Sequence, residues 1–425
     1  MKVLIVGGGG REHALAWKIV QSPLVSELHV APGNPGIARF AWCHADLKAT
    51  DVAAQVALAR KLAVDLVVVG PDDALALGLV DALAAVGIRA FGPTRAAARI
   101  EWSKEFAKEL MTKAGVPTAR YGSFTDFETA LAYLELQGAP IVIKADGLAL
   151  GKGVHVCQSQ DEATAALRSM MLGKAFGEAG TKVVIEEFME GEEVSVLALS
   201  DGRTVRQLLS SQDHKRAGDG DTGPNTGGMG TYAPVPAYTQ AIAAFVQKRI
   251  LEPTVRALAA KGTPFVGCLF AGLMLTEEGP RVVEFNARFG DPEAQVVLPL
   301  LENDLLEVML ACVNGTLSDV ELRFRPGAAA NVVLASGGYP GSYPKGLPID
   351  GLDEAERLGT TIFHAGTAVD DEARLVTAGG RVLGVMATAG DLQGALELAY
   401  RGVDVVRFEG RHFRHDIGKR ALLWS

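Results

Sequence analysis

The stretch "VVEFNARFGDPE" (282–293) places a carboxylate, an amide and a guanidinium at every second position, as Glu284, Asn286 and Arg288. Side chains alternate across a strand, so these three share one face while Val283, Phe285 and Ala287 share the other. Glu and Asn oxygens two residues apart are hard donors, the kind Mg2+ takes from one or two side chains while phosphates and water complete its shell; Mn2+ can substitute. A guanidinium next along that face suits a transferring phosphoryl group or a substrate anion. The competing reading is a polar strand face that simply meets water.

Three glycine-rich phrases could hold the phosphates such a cation implies. "GGGGREHA" follows the first strand, but Gly7-x-Gly9-x-x-Glu12 and Gly8-x-Gly10-x-x-His13 both lack the third small residue of a dinucleotide fingerprint. The second strand ends in Ala31-Pro32-Gly33-Asn34, with no acid for an adenosine ribose, so a nicotinamide-dependent oxidoreductase is disfavoured. A glycine turn onto a helix N-terminus can still bind phosphate through its N–H groups. "DGLALGKG" (146–153) misses the P-loop spacing by one residue and carries Gly153 where Ser or Thr would bind magnesium. It lies between two strand-like runs, which makes it a hairpin loop. Lys144 just before it is an ammonium among apolar neighbours, and a buried ammonium needs an anionic partner. "GPNTGGMGTY" has no standard phosphate spacing and by itself reads as a solvated loop.

The elements that must carry these residues are legible from the apolar pattern. "KVLIVG", "ELHVAPGN", "VDLVVVGPDD" and "GIRAFGPT" are continuous apolar strands separated by helices. That pattern predicts a doubly wound parallel sheet with ligands beyond the strand carboxyl ends. "SKEFAKELMTKAG" predicts a helix capped by Ser103 and stopped by Gly115. A smaller α+β segment follows at about 120–190. The polar stretch 210–236 shows no apolar periodicity and reads as one long functional loop. "GCLFAGLMLTEEGPRVVEFNARFG" predicts a hairpin, and from about 327 the chain turns β-rich, which reads as a separate domain. The expected division is 1–103, 104–326 with a lid lobe at about 120–190, and 327–425.

The 425 residues carry a formal net charge of −9, which argues against a general nucleic-acid binder. No apolar run approaches the length of a membrane span. Cys43, Cys157, Cys268 and Cys312 lie far apart and read as reduced thiols of a cytoplasmic protein. The N-terminal apolar run is a strand, not a signal peptide. No interfacial stripe stands out, and a monomer is expected.

A helix lysine (Lys104), a strand lysine before a glycine hairpin (Lys144), "EEFMEGEE" and a strand alternating acid and amide together resemble the ATP-grasp superfamily. More closely, "VGGGGREHALAWK", "APGNPG", "PIVIKADGLALGKGV", "SQDHKR", "DTGPNTGGMGTY", "VEFNARFGDPE" and the closing "FRHDIGKRAL" resemble the phosphoribosylamine–glycine ligase family from end to end. The resemblance implies a two-lobed ATP-grasp module (α+β) between an N-terminal α/β domain and a small β-rich C-terminal domain. It also implies ATP-dependent joining of glycine to 5-phosphoribosylamine through glycyl phosphate in purine biosynthesis.

It distributes roles as well. Lys104, Lys144 and the lid residues Gly151, Lys152 and Gly153 would meet ATP phosphates. Glu186, Glu187, Phe188 and Met189 would line the adenine edge, with Glu193 on the ribose and Arg216 and Asn225 near ATP. Glu284 and Asn286 would hold the metal, Arg288 the reacting anion, and Lys215 and Asp213 the glycine. Gly9, Gly10, Arg11, Asn34, Asp72 and Asp291 would face phosphoribosylamine. Asp72 departs from the family's usual Gly-Pro-Glu by one methylene, and Trp102 stands where a small residue is usual. His13 reads as structural or solvated, and "FRHDIG" (His412, His415) as a structural phrase. A purine-pathway carboxylase or formyl-transferring ligase of the same superfamily is the nearest alternative, and a catalytically dead binding relative is a further one.

Overall fold

The computed structural model describes residues 1–147, 153–173 and 182–423; Gly151 and Lys152 therefore lie outside the described residues. Strands β1 (Lys2–Gly7), β2 (Glu27–Pro32), β3 (Trp42–Cys43), β4 (Leu66–Val69) and β5 (Ala90–Phe91) form a parallel sheet in the order β3-β2-β1-β4-β5. Leu4 and Val6 enter one core with Val67 and Val69, whereas Val3 and Ile5 enter another with Leu66 and Val68. Burial on both faces explains why these strands read as unbroken apolar runs. The two-residue β3 escaped the sequence reading because it is too short to show a pattern. From β1 the chain passes into α1 (Gly10–Ile19). A Cβ on Gly8 would stand 2.4 Å from the Gly33 carbonyl oxygen, so a glycine is needed where the first two strand-end turns touch.

Helix α2 (Lys104–Ala114) starts where expected. The Ser103 hydroxyl accepts the Phe106 N–H at 3.3 Å, and Gly115 ends the helix in the left-handed region. The lid lobe is an antiparallel sheet of β6 (Tyr121–Phe124), β7 (Ile141–Ala145), β8 (Val154–Cys157) and β9 (Val183–Glu187), ordered β6-β9-β7-β8. It has its own core around Ile143, Ile185, Leu134 and Leu167. Lys144 pairs with Val154, so β7 and β8 form an antiparallel hairpin pair.

The remaining strands are β10 (Glu192–Asp201), β11 (Val205–Asp213), β12 (Arg216–Gly218), β13 (Thr222–Asn225), β14 (Gly230–Ala233), β15 (Val266–Thr276), β16 (Gly279–Asn286), β17 (Ala328–Ala335), β18 (Thr361–His364), β19 (Thr367–Val369), β20 (Leu375–Thr377) and β21 (Arg381–Ala389). Eight of them make one antiparallel sheet in the order β16-β15-β10-β11-β14-β17-β21-β18.

Two expectations change here. The stretch 210–236 is not one loop: it holds the end of β11, the β12–β13 hairpin and β14. Short strands of polar and glycine residues lack an apolar period, and β14 owes its conformation to partners on both sides. The C-terminal region continues the central sheet, because β14 pairs with β17. Finally, Val283 does not share the buried face. Gly272 faces Glu284 while Leu273 faces Val282, so Val283 is the extra residue of a β-bulge. Val282, Phe285 and Ala287 are the buried residues, and Val283 and Glu284 both lie partly open.

Candidate functional site

The bulge is where the site begins. The Val283 carbonyl accepts the Lys144 ammonium at 3.1 Å, linking the lid to the central sheet. Lys144 also pairs with Glu186 Oε2 at 3.0 Å, and Lys108 of α2 reaches the same oxygen at 3.0 Å. Lys108 was not foreseen; in sequence it is one of several lysines on a helix. Burial lowers its pKa to about 8, against the pull of Glu186. Glu186 Oε1 is buried and accepts no hydrogen bond among the described residues, which leaves an acceptor free for a ligand N–H.

Lys104, the first residue of α2, donates to the Gly147 carbonyl at 3.2 Å. Asp146 ties that end of the hairpin to the helix start by accepting the Glu105 N–H at 3.2 Å. Burial lowers the Lys104 pKa, and the Glu284 carboxylate is the largest opposing influence. Gly153 closes the hairpin through its carbonyl, which accepts the Ala145 N–H at 2.8 Å.

Glu284 stands among cations. Burial alone would raise its pKa, but Lys215, Lys144, Lys104 and Arg288 together hold it below the usual carboxylate value. Among the described residues its carboxylate makes no hydrogen bond or ion pair, so an anionic oxygen pair stays open beside the Asn286 amide. Asn286 Oδ1 is 3.4 Å from Arg288 Nη2. One carboxylate and one amide oxygen fit a hard divalent cation that draws its other ligands from phosphate and water. No group of three or more His, Cys, Asp and Glu side chains able to hold a metal occurs among the described residues.

Arg288 is fixed by a residue the sequence reading missed. Glu101 Oε1 pairs with Arg288 Nη2 at 3.0 Å, and Oε2 accepts the Ala287 N–H at 2.8 Å. Burial disfavours the charge on both, and their attraction restores it for Arg288, whose pKa is raised by Glu101 first and then by Asp72. Asp72 opens a short helix, Asp72–Ala76, at the carboxyl end of β4.

Beside this row lies a second cluster. Lys215 pairs with Glu193, and neighbouring carboxylates outweigh burial to raise its pKa. Asp213, at the end of β11, and Glu293 are raised by burial and then, for Asp213, by the Glu293 charge. Among the described residues Asp213 Oδ1 is buried without a hydrogen-bond partner, while Glu293 Oε1 accepts the Ser195 hydroxyl at 3.2 Å. Asp291 Oδ2 accepts the Arg11 N–H at 3.3 Å, joining the glycine turn after β1 to this cluster. Arg11 Nε pairs with Glu12 at 2.6 Å, and Glu12 accepts the Gly9 N–H at 2.7 Å. A Cβ on Gly10 would meet the Gln295 amide at 2.3 Å.

Other expected residues are placed more plainly. The Glu187 side chain is occupied by Arg120 and Arg281 beneath the lid, leaving its backbone at the lobe junction with half-buried Phe188 and buried Met189. Arg216 and Asn225 are paired residues of the exposed β12–β13 hairpin. The Asn34 amide is saturated by backbone: it donates to Gly8 and His364 carbonyls, each at 2.9 Å, and accepts the Ile37 N–H at 3.0 Å. It therefore fixes the strand-end loop. His13 Nδ1 accepts the His364 N–H at 2.8 Å in a buried aromatic contact with Phe363, a structural role. Buried Arg414 reaches the Arg216 carbonyl at 3.2 Å and Asp221 at 2.8 Å, and His412 the Ala217 carbonyl at 2.7 Å. The closing phrase thus anchors the β12–β13 hairpin.

A lid lobe pinned by buried lysines to a sheet that carries a cation-ringed carboxylate defines an ATP-grasp enzyme. Family models described as phosphoribosylglycinamide synthetase match most of the chain: the N domain over 1–101, the ATP-grasp (A) domain over 102–294 and the C domain over 329–420. The chain belongs to the phosphoribosylglycinamide synthetase family. The phosphoribosylamine–glycine ligase of Rhizobium meliloti (strain 1021) is 52% identical over 422 residues, 99% of each chain. That of Vibrio vulnificus (strain CMCP6) is 49% identical over 424 residues, again 99% of each. The crystal structure of phosphoribosylamine–glycine ligase from Thermotoga maritima superposes with a TM-score of 0.83 at 34% identity, covering 98% of this chain and 100% of that one. A biotin carboxylase domain from Hydrogenobacter thermophilus shares the fold, with a TM-score of 0.71 at 17% identity over 97% of this chain and 91% of that one.

Proposed function

We propose that this chain joins the carboxyl group of glycine to the amino group of 5-phosphoribosylamine, converting ATP to ADP and phosphate and releasing glycinamide ribonucleotide. The observation that carries this reading is Glu284, a partly open carboxylate ringed by Lys104, Lys144, Lys215 and Arg288 where lid and central sheet meet. The chemistry follows from what a carboxylate lacks. Its oxygen is a poor leaving group, so a glycine oxygen first attacks the γ-phosphorus of ATP to give glycyl phosphate and ADP. The amine nitrogen then attacks the carbonyl carbon, a tetrahedral oxyanion forms, and phosphate departs with the C–O electron pair as the nitrogen sheds a proton. No protein nucleophile is required; positioning and charge neutralisation supply the catalysis.

Lys104 and Lys144 neutralise ATP phosphates, and the lid lobe closes over them to exclude water, with Gly151, Lys152 and Gly153 assigned to the phosphates. The Glu186–Met189 segment meets the adenine, with the open Glu186 Oε1 as an acceptor for its amino group. Glu193 faces the ribose, and Arg216 and Asn225 lie on the ATP side. Glu284 and Asn286 would hold Mg2+ or Mn2+, which when bound draws charge from the phosphate oxygens. Arg288, rigid against Glu101, receives the transferring phosphoryl group. Asp213 takes the glycine ammonium and Lys215 its carboxylate. Gly9, Gly10, Arg11, Asp72 and Asp291 form the phosphoribosylamine side, with Asn34 holding its loop. The functional units run 1–103, 104–326 and 327–425, and the reading takes the protein as a cytoplasmic monomer. No helix among the described residues is long and apolar enough to cross a membrane.

The deciding assay follows ADP release and glycinamide ribonucleotide with ATP, glycine and freshly generated phosphoribosylamine, omitting each in turn. Product is expected only with all three. Bicarbonate or formate replacing glycine with equal turnover would overturn the assignment.

A further inference from the structure

Arg381, the first residue of β21, is remote in sequence from the ATP-grasp residues, yet its guanidinium stands where three segments cross. Nη1 donates to the Gly227 carbonyl at 2.6 Å and to the Asp291 carbonyl at 2.7 Å, with Asp291 Oδ1 at 3.4 Å. The Gly227 N–H donates in turn to the Tyr339 hydroxyl at 3.0 Å, so the C-terminal region grips this loop from two sides. The fit is close. A Cβ on Gly227 would stand 3.1 Å from Arg381 Cζ, and one on Gly228 (φ +114) would stand 2.6 Å from Asp213 Oδ1 and 2.5 Å from Pro292 Cδ. The loop therefore lies pressed between the guanidinium and the Asp213 carboxylate, in a backbone conformation that glycine supplies. On its other side Asp291 accepts the Arg11 N–H at 3.3 Å and the Gln295 amide at 3.1 Å. Gln295 also stands beside Gly10, where an added Cβ would meet its amide nitrogen. Among the described residues, Arg381 makes no hydrogen bond or ion pair with Lys104, Lys144, Glu284 or Arg288.

We infer that Arg381 is a positioning residue that holds the glycine side of the site, through Gly227–Gly228 against Asp213, in register with the phosphoribosylamine side, through Asp291 against the Gly10–Arg11 turn. This rests on the function proposed above. Its task is the second half of the reaction: bringing the amine nitrogen to the carbonyl carbon of glycyl phosphate before water arrives. When water wins, its oxygen adds to that carbon, the C–O bond to phosphate breaks with phosphate keeping the electron pair, and glycine is regenerated. The net result is hydrolysis of one ATP to ADP and phosphate with no amide formed.

The test is the ratio of ADP released to glycinamide ribonucleotide formed, for the wild type, Arg381→Met and Arg381→Lys. A wild type that forms no product at all would remove the functional reading and this inference with it. With an active wild type near one ADP per product, Arg381→Met is expected to raise the ratio roughly tenfold or more, because small misplacements of reacting atoms cost rate steeply. Glycine-dependent ADP release is expected to stay within about threefold, and the KM for phosphoribosylamine to rise more than that for ATP. Arg381→Lys, which keeps the charge but not the fork, is expected to fall between the two. A ratio that stays near one in the lysine variant while turnover drops would show only a structural contribution and overturn the inference, whether or not the methionine variant folds.

Discussion

Glu101 and Arg288, 187 positions apart, form one rigid unit: Oε1 meets Nη2 at 3.0 Å while Oε2 accepts the N–H of Ala287, the residue beside Arg288, at 2.8 Å. The carboxylate thus fixes both the backbone and the head group of the arginine proposed to receive the transferring phosphoryl group. Replacing Glu101 by Gln keeps an acceptor for the Ala287 N–H but removes the counter-charge. We expect kcat to fall about 10- to 100-fold with a folded protein, since a loosened electrostatic stabiliser costs rate before it costs structure. Glu101→Ala is expected also to destabilise the fold by about 3–5 kcal/mol, the usual cost of breaking a buried ion pair. Steady-state kinetics and urea titration of both variants check this; unchanged kcat in the glutamine variant would refute the positioning role.

Glu284→Ala and Asn286→Ala are each expected to lower kcat by two or three orders of magnitude, the scale of losing a preorganised electrostatic partner. Loss of a metal contact should also raise the Mg2+ concentration for half-maximal rate in Asn286→Ala. Near-normal rates at saturating Mg2+ in both would remove them from the metal site.

Lys144 bridges the Val283 carbonyl and Glu186, so its truncation frees the lid and leaves Glu186 to Lys108 alone. Lys144→Ala is expected to raise the KM for ATP about tenfold, equivalent to about 1.4 kcal/mol, with a smaller change for glycine. Equal shifts in both would point to a general loosening instead.

Asp213→Asn tests the glycine side. The variant keeps the shape of the side chain but loses the charge offered to an ammonium, so the glycine KM is expected to rise at least about tenfold. An unaltered glycine KM would place the amino group elsewhere.

His13 gives a pH signature unrelated to catalysis. Burial, then the His364 and Arg39 charges, lower its pKa from the ordinary 6.5 to about 3. The unfolded chain therefore takes up a proton before the folded one does, so stability is full above pH 6.5 and is lost as pH falls toward 3. Each such histidine contributes up to about 1.4 kcal/mol per pH unit in that window. Denaturant titrations between pH 7.5 and 5 are expected to show falling stability, with a shallower fall in His13→Asn. Identical slopes would exclude His13 as a contributor.

What the sequence disclosed was whatever repeats over a few neighbours. The buried strands of the parallel sheet, the Ser103 cap, the Gly115 stop and the pairing of Glu284 with Asn286 across one residue are local, and each appears in the structure. The bulge at Val283 is invisible in "VVEFNA", because it depends on how many residues the facing strand presents. β14 is equally hidden, being made a strand by neighbours far away in the chain. Glu101, Lys108 and Arg381 carry no motif, and Glu293 stands in one without showing its role; each acts through a partner that only folding brings near. Resemblance to a family named the reaction, but the ties that hold its residues rigid are tertiary.

The shared sheet also sets a schedule for synthesis. Thr231 of β14 pairs with Asn331 of β17, so one edge of the central sheet has no partner until about a hundred further residues emerge. At elongation rates of roughly 5–20 residues per second, that edge waits on the order of 5–20 s on the ribosome. An open strand edge is a template for pairing with another nascent chain. That edge is only four residues long, Gly230–Ala233, and so short a strand is a poor template while it waits.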